Sequence, residues 1–257
     1  MNALELYKKL PKKNCGECRQ KKCLPFALSL IMGEAELSEC PHLTEDAVND
    51  LKKTIVHSDW REDLILRLRK DIRDIDFSDV ASHIGAELKG RALMLKCMGR
   101  EFMIGPCGEV TTNGFITPWI KILLLHYIKT GGRANFSGKW VSFSELKSGM
   151  VKASSFTRDC EERLREMLDK DLQKVTQLLS GFGAGTRDDF PTKHAWHILL
   201  LPKMPVVILY WPADIEFGSK VKVLFDSTAD KFLDVESIIF LVEGLVNNIE
   251  AALSRPA

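Results

Sequence analysis

The stretch at residues 14–43, NCGECRQKKCLPFALSLIMGEAELSECPHL, holds four of the chain's seven cysteines. Cys15, Cys18, Cys23 and Cys40 are spaced Cys-x2-Cys-x4-Cys-x16-Cys, and Pro41 follows the last. Four thiolates from one short segment match the needs of a [4Fe–4S] cube, one per iron. The first three are close enough for a single loop to wrap one face of a cluster, while Cys40 must return from the far end of an intervening element. That element reads as a helix. Pro25 suits its first turn, Phe26, Ala27, Leu28, Leu30, Ile31 and Met32 give it an apolar body, and Gly33 is placed to stop it. Lys12, Lys13, Arg19, Lys21 and Lys22 partly offset the charge of four thiolates.

Two other readings compete. Disulfide pairing requires an oxidising compartment, and the opening MNALELYKKL is charged too early for a secretory signal. A structural zinc is the stronger competitor, because four-cysteine zinc sites also use Cys-x2-Cys pairs. Such sites usually carry a second short pair, whereas here the second half is one cysteine after sixteen residues, so the spacing favours a cluster over zinc.

The pattern N-C-G-x-C-x4-C-x3-A-x5-G-x3-L-x2-C-P resembles the small iron–sulfur domain of the corrinoid/iron–sulfur protein large subunit of the acetyl-CoA decarbonylase/synthase system. It is also similar to the cluster domain in the B subunit of Rnf-type electron-transport complexes. Asn14, Gly16, Ala27, Gly33, Leu37 and Pro41 match beside the four cysteines, and Glu17 departs where a lysine or small residue is common. The resemblance implies one [4Fe–4S] cluster on Cys15, Cys18, Cys23 and Cys40, and covers the first 45 residues or so.

A chain of 257 residues suits a small module followed by a larger domain. A net charge of +1 offers neither a basic field for nucleic acid nor an acidic one for cationic partners. The apolar run at 116–128 is interrupted by Pro118 and Lys121 and is too short to span a bilayer. Cysteines without a secretory signal imply a cytoplasmic setting, and an oxygen-sensitive cluster would suit an anaerobe.

The expected fold class is α+β. A cluster module at 1–43 is followed by a helical connector at 44–79 and a mixed α+β domain at 80–257. A leading helix is expected at 2–10. In the connector, one helix is expected from the Thr44 cap through Ala47, Val48, Leu51, Ile55 and Val56 to His57. A second, capped by Ser58 or Asp59, carries Trp60, Leu64, Ile65, Leu68 and Ile72. A short helix at 78–83 ends at Gly85, a hairpin joins 92–97 to 100–104 through Met98-Gly99, and Pro118 opens a helix to Lys129. The segment NFSGKWVSFSEL reads as a loop, and one long helix is expected at 154–179, stopped by GFGAG at 181–185. Strands at 195–201, 206–211 and 221–225 follow, with Pro202, Pro205 and Pro212 at their ends, and a final helix covers 235–253.

From Gly85 onward the chain resembles the DUF3786 family of anaerobic bacteria and archaea, through LLLHYIKTGG, SGKWVSFSEL, LPKMPVVILYW and VKVLFDSTADKFLDVE. That resemblance implies no particular activity. Within this region GFGAG lacks the Lys-Ser/Thr of a phosphate loop and follows a helix, so it reads as a stop and turn. His194 and His197 should stand on opposite faces of a strand, poorly placed for joint ligation. His126 reads as a hydrogen-bonded core histidine, and Cys97 and Cys160 as buried small hydrophobes. Cys107, in a Gly-Pro-Cys-Gly turn, is a candidate exposed thiol, and Asp226 lies at a strand end suited to a site or to a turn cap.

The functional expectation is an iron–sulfur protein passing single electrons to a redox partner, with a corrinoid protein the first acceptor to consider. The alternatives are a cluster-dependent enzyme with its substrate pocket in the larger domain, or a zinc-stabilised interaction module. Spacing identifies no catalytic residues, so whether the chain is an enzyme stays open.

Overall fold

The computed structural model describes residues 3–32, 34–54 and 60–254. The expected stop at Gly33, the helix end at Ile55, Val56 and His57, and the cap at Ser58 or Asp59 lie outside them. The chain divides into two compact units, Met1–Leu66 and Arg67–Ala257.

The smaller unit is helical. Helix α1 (Ala3–Lys9) leads to the cysteine loop, and α2 (Cys23–Met32) begins on a cysteine with Pro25 in its first turn. A 3-10 turn follows at Leu37–Glu39, bracketed by a capping box between Glu36 and Glu39. Helix α3 (Glu45–Thr54) starts where expected, with the Thr44 hydroxyl accepting from the Ala47 N–H at 3.3 Å. Leu6, Leu10, Phe26, Ala27, Leu30 and Leu51 pack into a core that also takes in Cys23. Helix α4 (Trp60–Asp71) runs across the division between the units.

In the larger unit, α5 (Phe77–Ile84) is capped by Asp76, whose carboxylate accepts from the Ser78 N–H at 2.9 Å, and ends at Gly85 with φ 69°. A four-stranded antiparallel sheet follows: β1 (Glu87–Lys89), β2 (Ala92–Cys97), β3 (Arg100–Ile104) and β4 (Val110–Thr111), paired in that order. The expected hairpin joins β2 and β3 through Met98 (φ 49°) and Gly99 (φ 76°), the doubly positive turn that matches strand twist. Helix α6 (Pro118–Thr130) starts on Pro118 behind the Thr117 cap and stops at Gly131, φ 55°.

The loop expected across NFSGKWVSFSEL is more ordered than its composition suggests. It contains strand β5 (Trp140–Ser142) and a 3-10 turn at Phe143–Glu145. The long helix expected at 154–179 is instead three pieces beginning earlier, α7 (Gly149–Phe156), α8 (Arg163–Lys170) and α9 (Leu172–Gly181), with a π segment at Thr157–Glu162 between the first two. The break falls at Asp171, which leaves helical geometry (φ −155°, ψ 79°) so that its carboxylate can cap α9 through the Lys174 N–H at 2.9 Å. The π segment turns Glu161 inward, where it accepts from the Lys222 ammonium (2.9 Å), the Val223 N–H (3.2 Å) and the Thr157 hydroxyl (3.0 Å).

A second antiparallel sheet has the order β5-β9-β8-β7-β6, adding β6 (Gly185–Thr186), β7 (His194–Leu201), β8 (Met204–Trp211) and β9 (Lys220–Asp226). The central strand β8 is buried almost throughout, which explains its unbroken apolar sequence. Pro205 lies inside β8 rather than before it, opposite Leu199 where the register shifts. Helix α10 (Val235–Leu253) closes the unit behind its Asp234 cap. At the centre Tyr127 is wholly buried, donating to the Ile84 carbonyl (2.8 Å) and accepting from the Lys203 N–H (3.0 Å). Helices and antiparallel sheets of this kind make the fold α+β, as expected.

Candidate metal centre

Between α1 and α2 the backbone turns sharply several times. Lys12, Asn14, Gly16 and Lys21 have φ of 56°, 48°, 81° and 58°. Left-handed backbone costs a lysine roughly 1–2 kcal/mol, so this loop needs tethers to hold it. Asn14 supplies one tether: its Oδ1 accepts from the Cys23 N–H at 2.9 Å, and its own N–H points at Cys23 Sγ at 3.4 Å. The loop is thereby tied to the first residue of α2. Further on, the Cys40 N–H closes the 3-10 turn on the Leu37 carbonyl at 3.3 Å, and this brings the fourth cysteine back.

Cys15, Cys18, Cys23 and Cys40 all line one cavity. They are graded in exposure: Cys15 faces solvent, Cys18 and Cys40 are half-buried, and Cys23 is 8% exposed. None is in a disulfide. Leu10 and Phe26 give the cavity an apolar wall, and Lys13, Lys21 and Lys22 bring positive charge to its edge. Four free thiols, an N–H aimed at a sulfur, an apolar wall and flanking ammonium groups fit the donor set of an iron–sulfur cluster.

The rim holds residues that the spacing argument did not reach. Ligand atoms of Cys15, Glu17 and His42 lie within 4.8 Å of one another. His42 Nε2 is 3.3 Å from the Glu17 carboxylate, and its Nδ1 is 3.4 Å from the Lys13 ammonium. Glu17 stands out in the sequence as a departure from the motif; His42 gives no signal beyond following Cys40-Pro41.

The other cysteines belong to the larger unit. Burial pushes the Cys97 thiol up to about 12, with Arg100 pulling weakly the other way, and burial likewise raises Cys160. Both are inert small hydrophobes. Cys107 is exposed in its turn, where its carbonyl accepts from Arg69 Nε at 3.0 Å. His194 packs near Trp196 and Tyr210 while His197 meets Trp140, so the two rings take different neighbours and do not converge on a metal. His126 corrects the core reading. It is only half-buried, and its Nδ1 lies 3.8 Å from Asp234, beyond hydrogen-bond reach. Asp226 is a structural clamp: it accepts from the Ser137 and Gly138 N–H groups (3.2 and 2.8 Å), the Ser137 hydroxyl (3.0 Å) and the Thr228 N–H and hydroxyl (3.0 and 2.7 Å).

The larger unit's sequence matches the family model "Domain of unknown function (DUF3786)" over residues 76–248, more than half of the chain. The chain belongs to the DUF3786 family. Ahead of that domain, residues 10–42 match the model "Putative Fe-S cluster", which spans all four cysteines of the cavity. The same region is 51% identical over 47 residues to the corrinoid/iron-sulfur protein large subunit of Moorella thermoacetica, covering 18% of this chain and 10% of that protein. It is 38% identical over 55 residues to the acetyl-CoA decarbonylase/synthase complex subunit gamma of Methanothermobacter thermautotrophicus, covering 21% and 12%. The chain thus spans about a tenth of the length of the curated relatives it matches. No solved structure matches it. These likenesses support an iron–sulfur protein. No helix among the described residues is long and apolar enough to cross a membrane.

Proposed function

We propose that this DUF3786 protein carries one [4Fe–4S] cluster on Cys15, Cys18, Cys23 and Cys40 and passes single electrons to a low-potential acceptor. The observation that carries this reading is the convergence of those four free thiols on one cavity. When bound, such a cluster supplies a one-electron couple whose potential depends on burial and hydrogen bonds to sulfur. The chain's own residues act on those levers. Leu10 and Phe26 exclude water from one side, the Asn14 N–H faces the Cys23 sulfur, and Lys13, Lys21 and Lys22 offset thiolate charge. Cys15, the most exposed of these four thiols, marks the side open to a partner. The likeness to a corrinoid/iron-sulfur protein makes a corrinoid protein the first acceptor to try, and an oxygen-sensitive cluster would suit anaerobic, cytoplasmic metabolism. In this reading the chain comprises a cluster module at 1–43, a connector at 44–79 and the DUF3786-type domain at 80–257.

A zinc site is the second reading, favoured by the approach of Cys15, Glu17 and His42. It leaves Cys18, Cys23 and Cys40 without a role. Purification under nitrogen with metal and sulfide analysis separates the two. The cluster reading expects about four irons and four acid-labile sulfides per chain and a brown, reducible chromophore. Serine at any of the four positions should abolish that chromophore, while Cys97→Ser, Cys107→Ser and Cys160→Ser should retain it. Stoichiometric zinc without sulfide would overturn the proposal.

A further inference from the structure

The larger unit contains a cavity of about 480 Å3, within the range of about 300–1,000 Å3 typical of small-molecule sites. Its walls are aromatic. Trp119 of α6 and Phe240 of α10 lie with ring centroids 4.7 Å apart, Phe182 joins them from the turn after α9, and Phe115, 82% exposed, stands at the mouth. Five residues of α10 line it at helical spacing, from Phe240 through Glu243, Gly244 and Asn247 to Asn248. Gly244 leaves room for the Met98 side chain. A Cβ at that position would come within 2.8 Å of Met98 Cε, and Met98 is the left-handed residue of the β2–β3 hairpin.

The polar groups on this face are few and have defined valences. Asn248 donates through Nδ2 to the Gly244 carbonyl (2.7 Å) and towards Met98 Sδ (3.7 Å), so Oδ1 is its remaining acceptor. Asn247 accepts from Arg163 at 2.8 Å through Oδ1, so Nδ2 is its remaining donor. The Glu243 carboxylate makes no hydrogen bond among the described residues, and burial, then the nearby Asp159, raises its pKa against the pull of Arg163 and Arg158. Arg100, over the Phe102 ring at 5.4 Å and donating to the Phe115 carbonyl at 3.4 Å, adds a positive charge at the mouth.

From the aromatic walls, the acceptors and donor of α10 and the cationic mouth, we infer that this cavity binds a purine nucleotide. The flat base takes the aromatic walls, with its amino or ring N–H groups donating to Glu243 and Asn248 Oδ1 and a ring nitrogen accepting from Asn247. The phosphate lies by Arg100. The inference does not depend on which metal the cysteines hold.

Titration calorimetry on the full-length, metal-loaded protein tests it with AMP, GMP, and purine riboside 5′-monophosphate, which lacks both the amino group and the ring N–H. AMP or GMP should bind at least about 10-fold more tightly than the unsubstituted analogue, the effect of one charge-assisted hydrogen bond. Glu243→Gln should remove most of that difference. Arg100→Ala should weaken nucleotide binding about 10-fold and leave the parent nucleosides nearly unaffected. No binding of either nucleotide, or equal binding of all three purines to the unsubstituted protein, would overturn the assignment without reliance on any variant.

Discussion

In the smaller unit, a handful of buried apolar side chains lies beside a loop that repeatedly adopts left-handed backbone. The larger unit has a central strand buried almost end to end, a wholly buried tyrosine with both hydrogen bonds met, and carboxylates such as Glu161 and Asp226 inside polar clamps. A short chain encloses too little apolar surface to hold a strained loop unaided, and in the proposed reading a metal bound by the four thiolates supplies what the core does not. A larger domain meets its polar groups from its own chain. On the proposed cluster, metal loading and folding are one problem in the first unit, whereas the second is held by groups of its own chain.

The sharpest way to break this comparison is to strip the metal. Chelator under mild oxidation should reduce amide protection across residues 3–54 to that of an unfolded chain, with protection from β2 through α10 unchanged, as read by hydrogen exchange. Persistent protection of α2 in the stripped protein would mean that its apolar core suffices.

A smaller effect is expected from the Asp226 clamp. Burial works to raise this carboxyl, but hydrogen bonds from Thr228, Ser137 and Gly138 outweigh it and hold the group below its ordinary value of 3.8. A lowered folded-state pKa stabilises above the unfolded value and is lost as pH falls through the folded one. The larger unit should therefore lose stability below about pH 4. Asp226→Asn should cost about 1–3 kcal/mol at neutral pH and flatten that acid dependence. Thermal melts of both proteins across the acid range would test it; parallel curves would rule the clamp out as a source of the dependence.

The mildest change is Asn14→Ala. It removes the acceptor for the Cys23 N–H and places an alanine at φ 48°, together worth about 1–2 kcal/mol. Only the smaller unit should respond, through faster loss of its chromophore under denaturant. An unchanged rate would show that the cysteines organise the loop without Asn14.

The sequence was informative where a local rule decides the outcome. Pro118 and Gly131 bracket α6, Met98-Gly99 turns the hairpin, and the apolar body after Pro25 makes α2. It was opaque where the outcome is settled far along the chain. The strands β1, β4 and β6 are two or three residues long, too short for alternation to show. The apolar period runs through Asp171 without a sign of the break, because Leu168 and Leu172 continue the stripe. Asp226 looked like a site or a turn cap, and its partners at Ser137 and Gly138 come from a loop remote in sequence. The aromatic cavity could not be read at all, since α6, α10, the hairpin and the turn after α9 each contribute only a few residues to it.

The order of strands in the second sheet also dictates a schedule. β7, β8 and β9 are successive and antiparallel, so they can assemble as a meander soon after they emerge from the ribosome. β5 precedes them by three helices, yet it pairs with β9, Trp140 opposite Asp226. It must therefore wait, unpaired, until the last strand has been made. Pairings of such long sequence separation are slow to form. The rate-limiting event in folding this domain is expected to be the capture of β5 at the sheet's edge, with the helices between the two strands already formed.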